Sequence, residues 1–306
     1  MKTQTQTATQ RTDIYSRVTS RIIADLENGV RPWLRPWNAG NAGGRITLPL
    51  RHNGTPYRGI NVLMLWGEAL DKGYTARIWM TFRQALELNA HVRKGEHGSP
   101  VVYADRFRKT DTDADGNDIE REIPFLKAYT VFNVAQIENL LAHYHARPEI
   151  KAEKMQLIET AESFFAATGA AIRHGGDKAY CAPGPDVIQL PIPEAFRDAE
   201  SYAASKAHEL THWTKHESRL NRDFGAKGFG DNGYSMEEIV TELGSSFLCC
   251  ALGITPEPRE DHASYIKHWI GILKTDKRAI FQAAAHAQRA VDFLHSLQPH
   301  GKAAPA

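Results

Sequence analysis

His208-Glu209-Leu210-Thr211-His212-Trp213-Thr214-Lys215-His216 is the stretch on which the reading of this 306-residue chain turns. Residues four apart share one face of a helix, so His208 and His212 can offer two imidazole nitrogens to a single cation while Glu209 lies beside the position left open. This spacing is the HExxH signature of zinc hydrolases. A zinc ion held by neutral imidazoles keeps one position for water and lowers its pKa toward about 7, and an adjacent carboxylate can take the proton and pass it to a leaving amine. Glu209 is the expected base. A polar helix can also produce the pattern by accident, with two surface histidines, so a third ligand and a nearby sheet edge are what decide.

A metzincin would place glycine three and histidine six residues after the second histidine; Lys215 and Ser218 stand there instead. The better source of a third ligand is Met236 to Gly244. Helical spacing puts Ile239, Leu243 and Phe247 on one apolar face, widened by Val240 and Leu248, and Glu238, Glu242, Ser245 and Cys249 on another. Glu238 is the expected ligand, with Glu242 as the alternative or as the group that holds a histidine N–H, giving a His2Glu site of the thermolysin-type gluzincin kind. Glu237 lies about 100° round the helix from Glu238 and is the weaker candidate. Between the two helices, Phe224 to Tyr234 reads as a flexible glycine-rich loop, and Tyr234 is a candidate for stabilising a tetrahedral oxyanion, its plainer role being packing. His216 reads as a helix-surface histidine.

A chain of this length usually forms two domains, each with a core of its own. No apolar run approaches a membrane span and the polar N-terminus lacks the apolar segment of a signal peptide, so a cytoplasmic protein with no membrane partner is expected. Cys181, Cys249 and Cys250 form no disulfide framework and no CxxC pair. The formal net charge of +1 conceals an asymmetry: residues 1–109 hold 17 Lys and Arg against 8 Asp and Glu, and the remainder holds 20 against 28. A basic front suits a polyanion, and nucleic acid is the obvious one.

Residues 1–11 read as a disordered Thr/Gln tail. Ile14, Val18, Ile22 and Leu26 then recur as the apolar stripe of a helix that carries Arg17 and Arg21 on another stripe. After it, Arg31, Trp33, Arg35 and Trp37 alternate guanidinium with indole, followed by Arg45, Arg51, Tyr57 and Arg58. Aromatics on which bases stack, interleaved with arginines that meet phosphates, are what single-stranded DNA binding requires. The plainer alternative makes Trp33 and Trp37 core anchors.

Residues 59–66 and 79–86 read as helices, with Thr81 a cap for the second, and 100–103 and 128–133 as the strands of a hairpin. The hairpin tip is a decoy: Asp111 to Gly116 with Glu122 satisfies the EF-hand pattern, but strands flank it and Asp118 stands where an apolar residue is usual. Residues 143–148 join the halves. A helix over 151–168, short strands at 171–173, 179–181 and 186–190, and two helices between 265 and 297 follow, before a disordered tail. The strand at 186–190, last before the HExxH helix, is the expected sheet edge for an extended peptide.

Pro56 to Asn61, Trp79 to Phe82, Val131 to Ile137, His208 to Trp213 and Glu237 to Gly244 together resemble the ArdC-type antirestriction proteins of conjugative plasmids, and related segments occur in TraC-type primases. The resemblance spans nearly the whole chain. It implies an α+β protein: an N-terminal single-stranded DNA-binding domain, helical with a small antiparallel sheet, over 12–145, and a C-terminal zincin-like, gluzincin-type metallopeptidase domain over 146–298, with 299–306 a tail. The implied partners are single-stranded DNA and a host protein of the restriction system, and the implied cofactor is Zn2+, with Mn2+ or another divalent ion also suited to a His2Glu set. Two rival readings stand beside proteolysis during conjugation: a DNA-coating protein whose metal is only structural, and a DNA-activated protease acting on DNA-bound proteins.

Overall fold

The computed structural model describes residues 14–31, 33, 47–112, 118–145, 154–226, 228, 231–254 and 263–299. The N-terminal half runs α1 (Ile14–Glu27), β1 (Leu50–Arg51), α2 (Ile60–Lys72), β2 (Ile78–Thr81), α3 (Phe82–Glu87), β3 (His91–Val92), β4 (Ser99–Thr112), β5 (Asp118–Asn133), β6 (Ile137–Glu138) and α4 (Ala142–His145). The C-terminal half runs α5 (Lys154–Ala167), β7 (Ala171–His174), β8 (Tyr180–Ala182), β9 (Val187–Leu190), α6 (Ala199–Trp213), α7 (Asn232–Leu252), α8 (Ala263–Thr275) and α9 (Ala279–Ser296). The protein is therefore α+β, as its sequence suggests. The expected N-terminal tail at 1–11, and all but the first residue of the tail at 299–306, lie outside the described residues.

In the N-terminal half a four-stranded sheet has the order β1-β2-β5-β4, with β4 and β5 forming the expected antiparallel hairpin. Asp111 and Glu122 sit in its paired strands, Glu122 opposite Arg108, so the EF-hand match does not fold as a helix-flanked loop. Asn61 pins α2 to this sheet: its amide donates to Val102 O at 2.8 Å and accepts from Val102 N at 2.7 Å. Residues 79–81, expected to open a helix, are strand, and only Phe82–Glu87 is helical, capped by Thr81, whose side chain accepts from Gln84 N. The reason is two-sided burial. Trp79 packs in the main core and Met80 in a smaller cluster with Ala85, Val134 and Ile137, so strand alternation reads as an uninterrupted apolar run.

The C-terminal half sets a three-stranded sheet of order β7-β9-β8 against α6. β9 is its central strand, parallel to β7 and antiparallel to β8. The expectation that 186–190 forms the edge is thus corrected. Val187, Ile188 and Leu190 are buried on it, and β7 and β8, the two strands that precede it in the chain, take the outer positions on either side.

α7 is the axis of the molecule. Every residue from Ser235 to Cys249 is buried, as on a helix surrounded by other elements. Asp231 caps its start by accepting from Tyr234 N, and Gly253, at φ 71°, ends it in the left-handed conformation that glycine adopts without steric cost. α6, α8 and α9 pack around it, and the N-terminal half joins the same core. Trp66 of α2 meets Phe247 of α7 at 5.9 Å between ring centroids, and Trp33 meets Trp269 of α8 at 6.2 Å. Polar links seal the seam: Thr19 Oγ1 donates to Lys277 O at 2.7 Å and Gly59 N to Gln288 Oε1 at 3.1 Å. Two halves with separate cores were expected; one apolar core runs through both, because the indoles of the first half are spent on helices of the second. No described helix is long and apolar enough to cross a membrane.

Trp33 is 1 % exposed. Replacing it by alanine is expected to cost about 3–5 kcal/mol of unfolding free energy, a large-to-small core loss that urea denaturation reads directly.

Candidate metal centre

α6 starts where Asp198 accepts from Ser201 N at 2.8 Å, and it carries His208, Glu209 and His212 into the interior. α7 brings its glutamates to them. The approach is close because Gly244 has no side chain: a Cβ there would stand 2.6 Å from Thr211 Cγ2, in the turn between the two histidines. Glycine inside a helix costs about 1 kcal/mol relative to alanine, so its place at this contact is a packing requirement.

The donors converge. Glu238 lies between the two imidazoles, Oε2 at 3.7 Å from His208 Nε2 and Oε1 at 3.4 Å from His212 Nε2. One ligand atom from each of His208, His212 and Glu238 falls within 4.8 Å of the others, a grouping suited to one cation. The opposite ring nitrogens have carboxylates of their own. His208 Nδ1 lies 3.5 Å from Glu242 Oε1, and His212 Nδ1 lies 3.2 Å from Glu237 Oε1 and 3.0 Å from Thr241 Oγ1. Such partners fix the tautomer, leaving Nε2 as the metal-facing lone pair, and raise the basicity of the ring. Of the two candidates for third ligand, Glu238 is placed for it and Glu242 is placed to hold His208.

Glu237, Thr241 and Arg222 carry more of the site than their sequence suggested. Arg222, buried, grips Glu237 with two bonds, Nε to Oε2 at 2.8 Å and Nη2 to Oε1 at 2.7 Å. It also donates to Thr211 O at 3.0 Å and Thr214 Oγ1 at 3.1 Å, tying α6 to α7. The signal for Thr241 was its i+4 spacing from Glu237, one stripe over from Glu238; Arg222 lies in an irregular loop and gave none.

Burial alone would lower the pKa of His212, but Glu238, the hydrogen bonds to Glu237 and Glu238, and the charge of Glu209 lift it to about 10. Without an ion the cluster therefore holds a proton, which a bound cation displaces. Burial works against ionisation of Glu237 too, yet the bonds from Arg222 and His212 and their charges hold it down to about 2. Glu209 is buried at 2 % exposure beside the cluster. Tyr234 is half-buried, one turn before Glu238 on the same face of α7. His216, expected on a helix surface, lies past the end of α6 in a turn, its Nδ1 2.8 Å from the Ser218 hydroxyl. Burial and the charge of Glu209 push the Cys181 thiol of β8 up to about 12, leaving it a poor nucleophile.

The candidate DNA residues fare differently. Trp33 is a core residue, and Tyr57, 7 % exposed, offers no free face for stacking. Both were expected to bind bases and are corrected: their rings are spent on the core. Arg51 is exposed and lies over the Tyr57 ring at 5.4 Å. Arg58 is exposed and pairs with Asp292 of α9; Arg31 is half-buried. Arg35, Trp37 and Arg45 lie outside the described residues.

Two family models match the chain: the N-terminal domain of the anti-restriction factor ArdC over residues 12–132, and a zincin-like metallopeptidase over residues 159–286. The crystal structure of the metal-free antirestriction ArdC protein from plasmid R388 is similar at a TM-score of 0.77 and 44 % identity, covering 93 % of this chain and 97 % of that one. The chain belongs to the ArdC antirestriction family. The Mn(II)-bound structure of the R388 protein is similar to this chain at a TM-score of 0.75 and 43 % identity, covering 93 % of this chain and 98 % of that one. The protein y4eC of Sinorhizobium fredii is 42 % identical over 94 % of this chain and 93 % of its own length. An Escherichia coli DNA primase TraC is 38 % identical over 92 % of this chain, a region that makes up 27 % of the primase. Within this ArdC-family chain the donor set of two imidazoles and a carboxylate fits a divalent cation.

The depressed pKa of Glu237 has a consequence for stability. Its carboxylate contributes fully above the unfolded value near 4.5, and that contribution disappears as pH falls toward about 2. Glu237→Gln is expected to abolish this acid dependence and to lower stability at neutral pH by about 3–5 kcal/mol, since Arg222 is left buried without its counter-charge. Urea midpoints measured across that range with a chelator present check both effects.

Proposed function

We propose that this ArdC-family chain binds single-stranded DNA through residues 12–145 and, in residues 146–298, hydrolyses a host protein held near that DNA, protecting plasmid DNA as it enters a new cell by conjugation. The observation that carries the hydrolytic half is the convergence of His208 Nε2, His212 Nε2 and Glu238 beside Glu209. His208, His212 and Glu238 hold the ion, for which Zn2+ is the expectation and Mn2+ or another divalent ion is compatible. When bound, that ion supplies a Lewis acid that acidifies water and polarises a carbonyl.

The chain's own residues do the rest. Glu242, Glu237 and Thr241 keep the imidazoles oriented, and Arg222 keeps Glu237 ionised and in place. Glu209 takes a proton from water and returns it to the leaving amine. Tyr234, on the face of Glu238, donates to the oxyanion as the tetrahedral centre forms. β8, the outer strand beside β9 and in contact with α6, is the edge along which an extended peptide adds as a further strand. The basic balance of the first 109 residues, 17 Lys and Arg against 8 Asp and Glu, supports the DNA-binding half. This activity belongs in the cytoplasm, where the entering strand meets restriction enzymes.

Burial favours a second reading, in which the ion only ties α6 to α7 and the protein protects by coating DNA. The His208 and Glu238 side chains are 5 % and 7 % exposed. A protease switched on by DNA and directed at DNA-bound proteins uses the same geometry as the first reading.

Glu209→Gln separates the readings. It is expected to bind metal and DNA like the natural protein while losing cleavage and plasmid protection, measured as restriction survival in matings. Full protection by Glu209→Gln would mean that hydrolysis is not the protective mechanism.

A further inference from the structure

A pocket of about 280 Å3 opens between α1, α2 and the first residues of β4, far in sequence from the metal centre. Ile22, Leu63, Met64 and Pro100 give it apolar walls. That size is at the lower end for small-molecule sites, room for one ring system. Its rim is polar: Asp25 and Glu68 present carboxylates, and Arg17 and Arg21 stand one helical turn apart. Arg21 is engaged by Asp25 and Asp71, whereas Arg17 is exposed and has no ion-pair partner among the described residues.

Two features mark this as a built site. Ser99 is 2 % exposed, lines the pocket, and its Oγ has no hydrogen-bond partner among the described residues. A buried hydroxyl left unpaired is costly and asks for a ligand to meet it. Gly67 lines the pocket from the middle of α2, where glycine weakens a helix relative to alanine. No packing contact requires it: the nearest atom to a Cβ built there is Asp25 Oδ2, 4.0 Å away, an ordinary van der Waals distance. The missing methyl keeps space free in the pocket. This contrasts with Gly244, whose Cβ would collide with Thr211.

We propose that the pocket receives one unstacked nucleobase of single-stranded DNA, with Asp25 and Glu68 accepting from its exocyclic amino group, Ser99 bonding the ring edge and Arg17 meeting the neighbouring phosphate. The inference rests on the single-stranded DNA reading above and says where a base is held once Trp33 and Tyr57 are committed to the core. Extruded bases are read by apolar walls and by hydrogen bonds to their pairing edge, and carboxylates select bases that carry an amino donor. Cytosine carries one and thymine does not. Arg17 and Arg21, already on one stripe of α1, place positive charge where the strand must pass.

The test is a fluorescence-anisotropy titration of the full chain with labelled oligo(dC) and oligo(dT). The natural protein should bind oligo(dC) more tightly. Gly67→Ala should melt at or above the natural temperature yet bind oligo(dC) about tenfold more weakly, as should Ser99→Ala, which keeps the backbone and removes only the hydroxyl. Variants that bind oligo(dC) as tightly as the natural protein overturn the pocket assignment while leaving single-strand binding in place. If the natural protein binds neither oligonucleotide, the DNA reading itself fails and this inference with it.

Discussion

The contact between Gly244 and Thr211 is the constraint on which the molecule depends. Two helices that carry two histidines and four buried glutamates must meet closely for these groups to answer one another, and at their contact Gly244 has no side chain to collide with Thr211. Once they meet, Glu238 falls between the imidazoles and the remaining carboxylates fall behind them. The rest of the fold surrounds this pair: α8 and α9 on one side, the three-stranded sheet against α6, and the N-terminal half through Trp66 on Phe247.

Burying so much charge is unfavourable unless each group is answered. Arg222 answers Glu237 and borrows two oxygens from α6 to do so; His212 holds a proton until a cation replaces it. Binding a cation at the two imidazoles therefore releases that proton. The need to answer each charge also explains why a loop residue outside both helices is part of the centre: the return of the chain from α6 to α7 delivers the cation that neither helix could supply from its own face.

Periodicity made much of this legible. His208, His212, Glu238 and Glu242 follow from helical spacing, as does the apolar stripe of α1, while of the hairpin only the inner ends at 100–103 and 128–133 are legible, short of the strands Ser99–Thr112 and Asp118–Asn133. What spacing does not carry is context. Trp33 and Tyr57 stand among arginines and read as stacking platforms, yet an indole or phenol ring gains more from burial than from solvent, and the seam between the halves claims them. Trp79 and Met80 read as helix because both faces of β2 are covered. β9 reads as an edge because its insertion between β7 and β8 is a matter of topology, invisible in a four-residue run. Arg222 has no periodic neighbour to announce it.

The claim that organises all of this is that α6 and α7 form one divalent-cation site with Glu238 as its carboxylate ligand. The measurement that tests it most directly is anomalous diffraction from crystals of the full chain grown with Zn2+ or Mn2+. The account predicts a single strong peak bounded by His208 Nε2, His212 Nε2 and the Glu238 carboxylate, with Glu242 and Glu237 on the far sides of the rings. A peak held instead by Glu242 or Glu237, or no peak at the cluster under saturating metal, contradicts it.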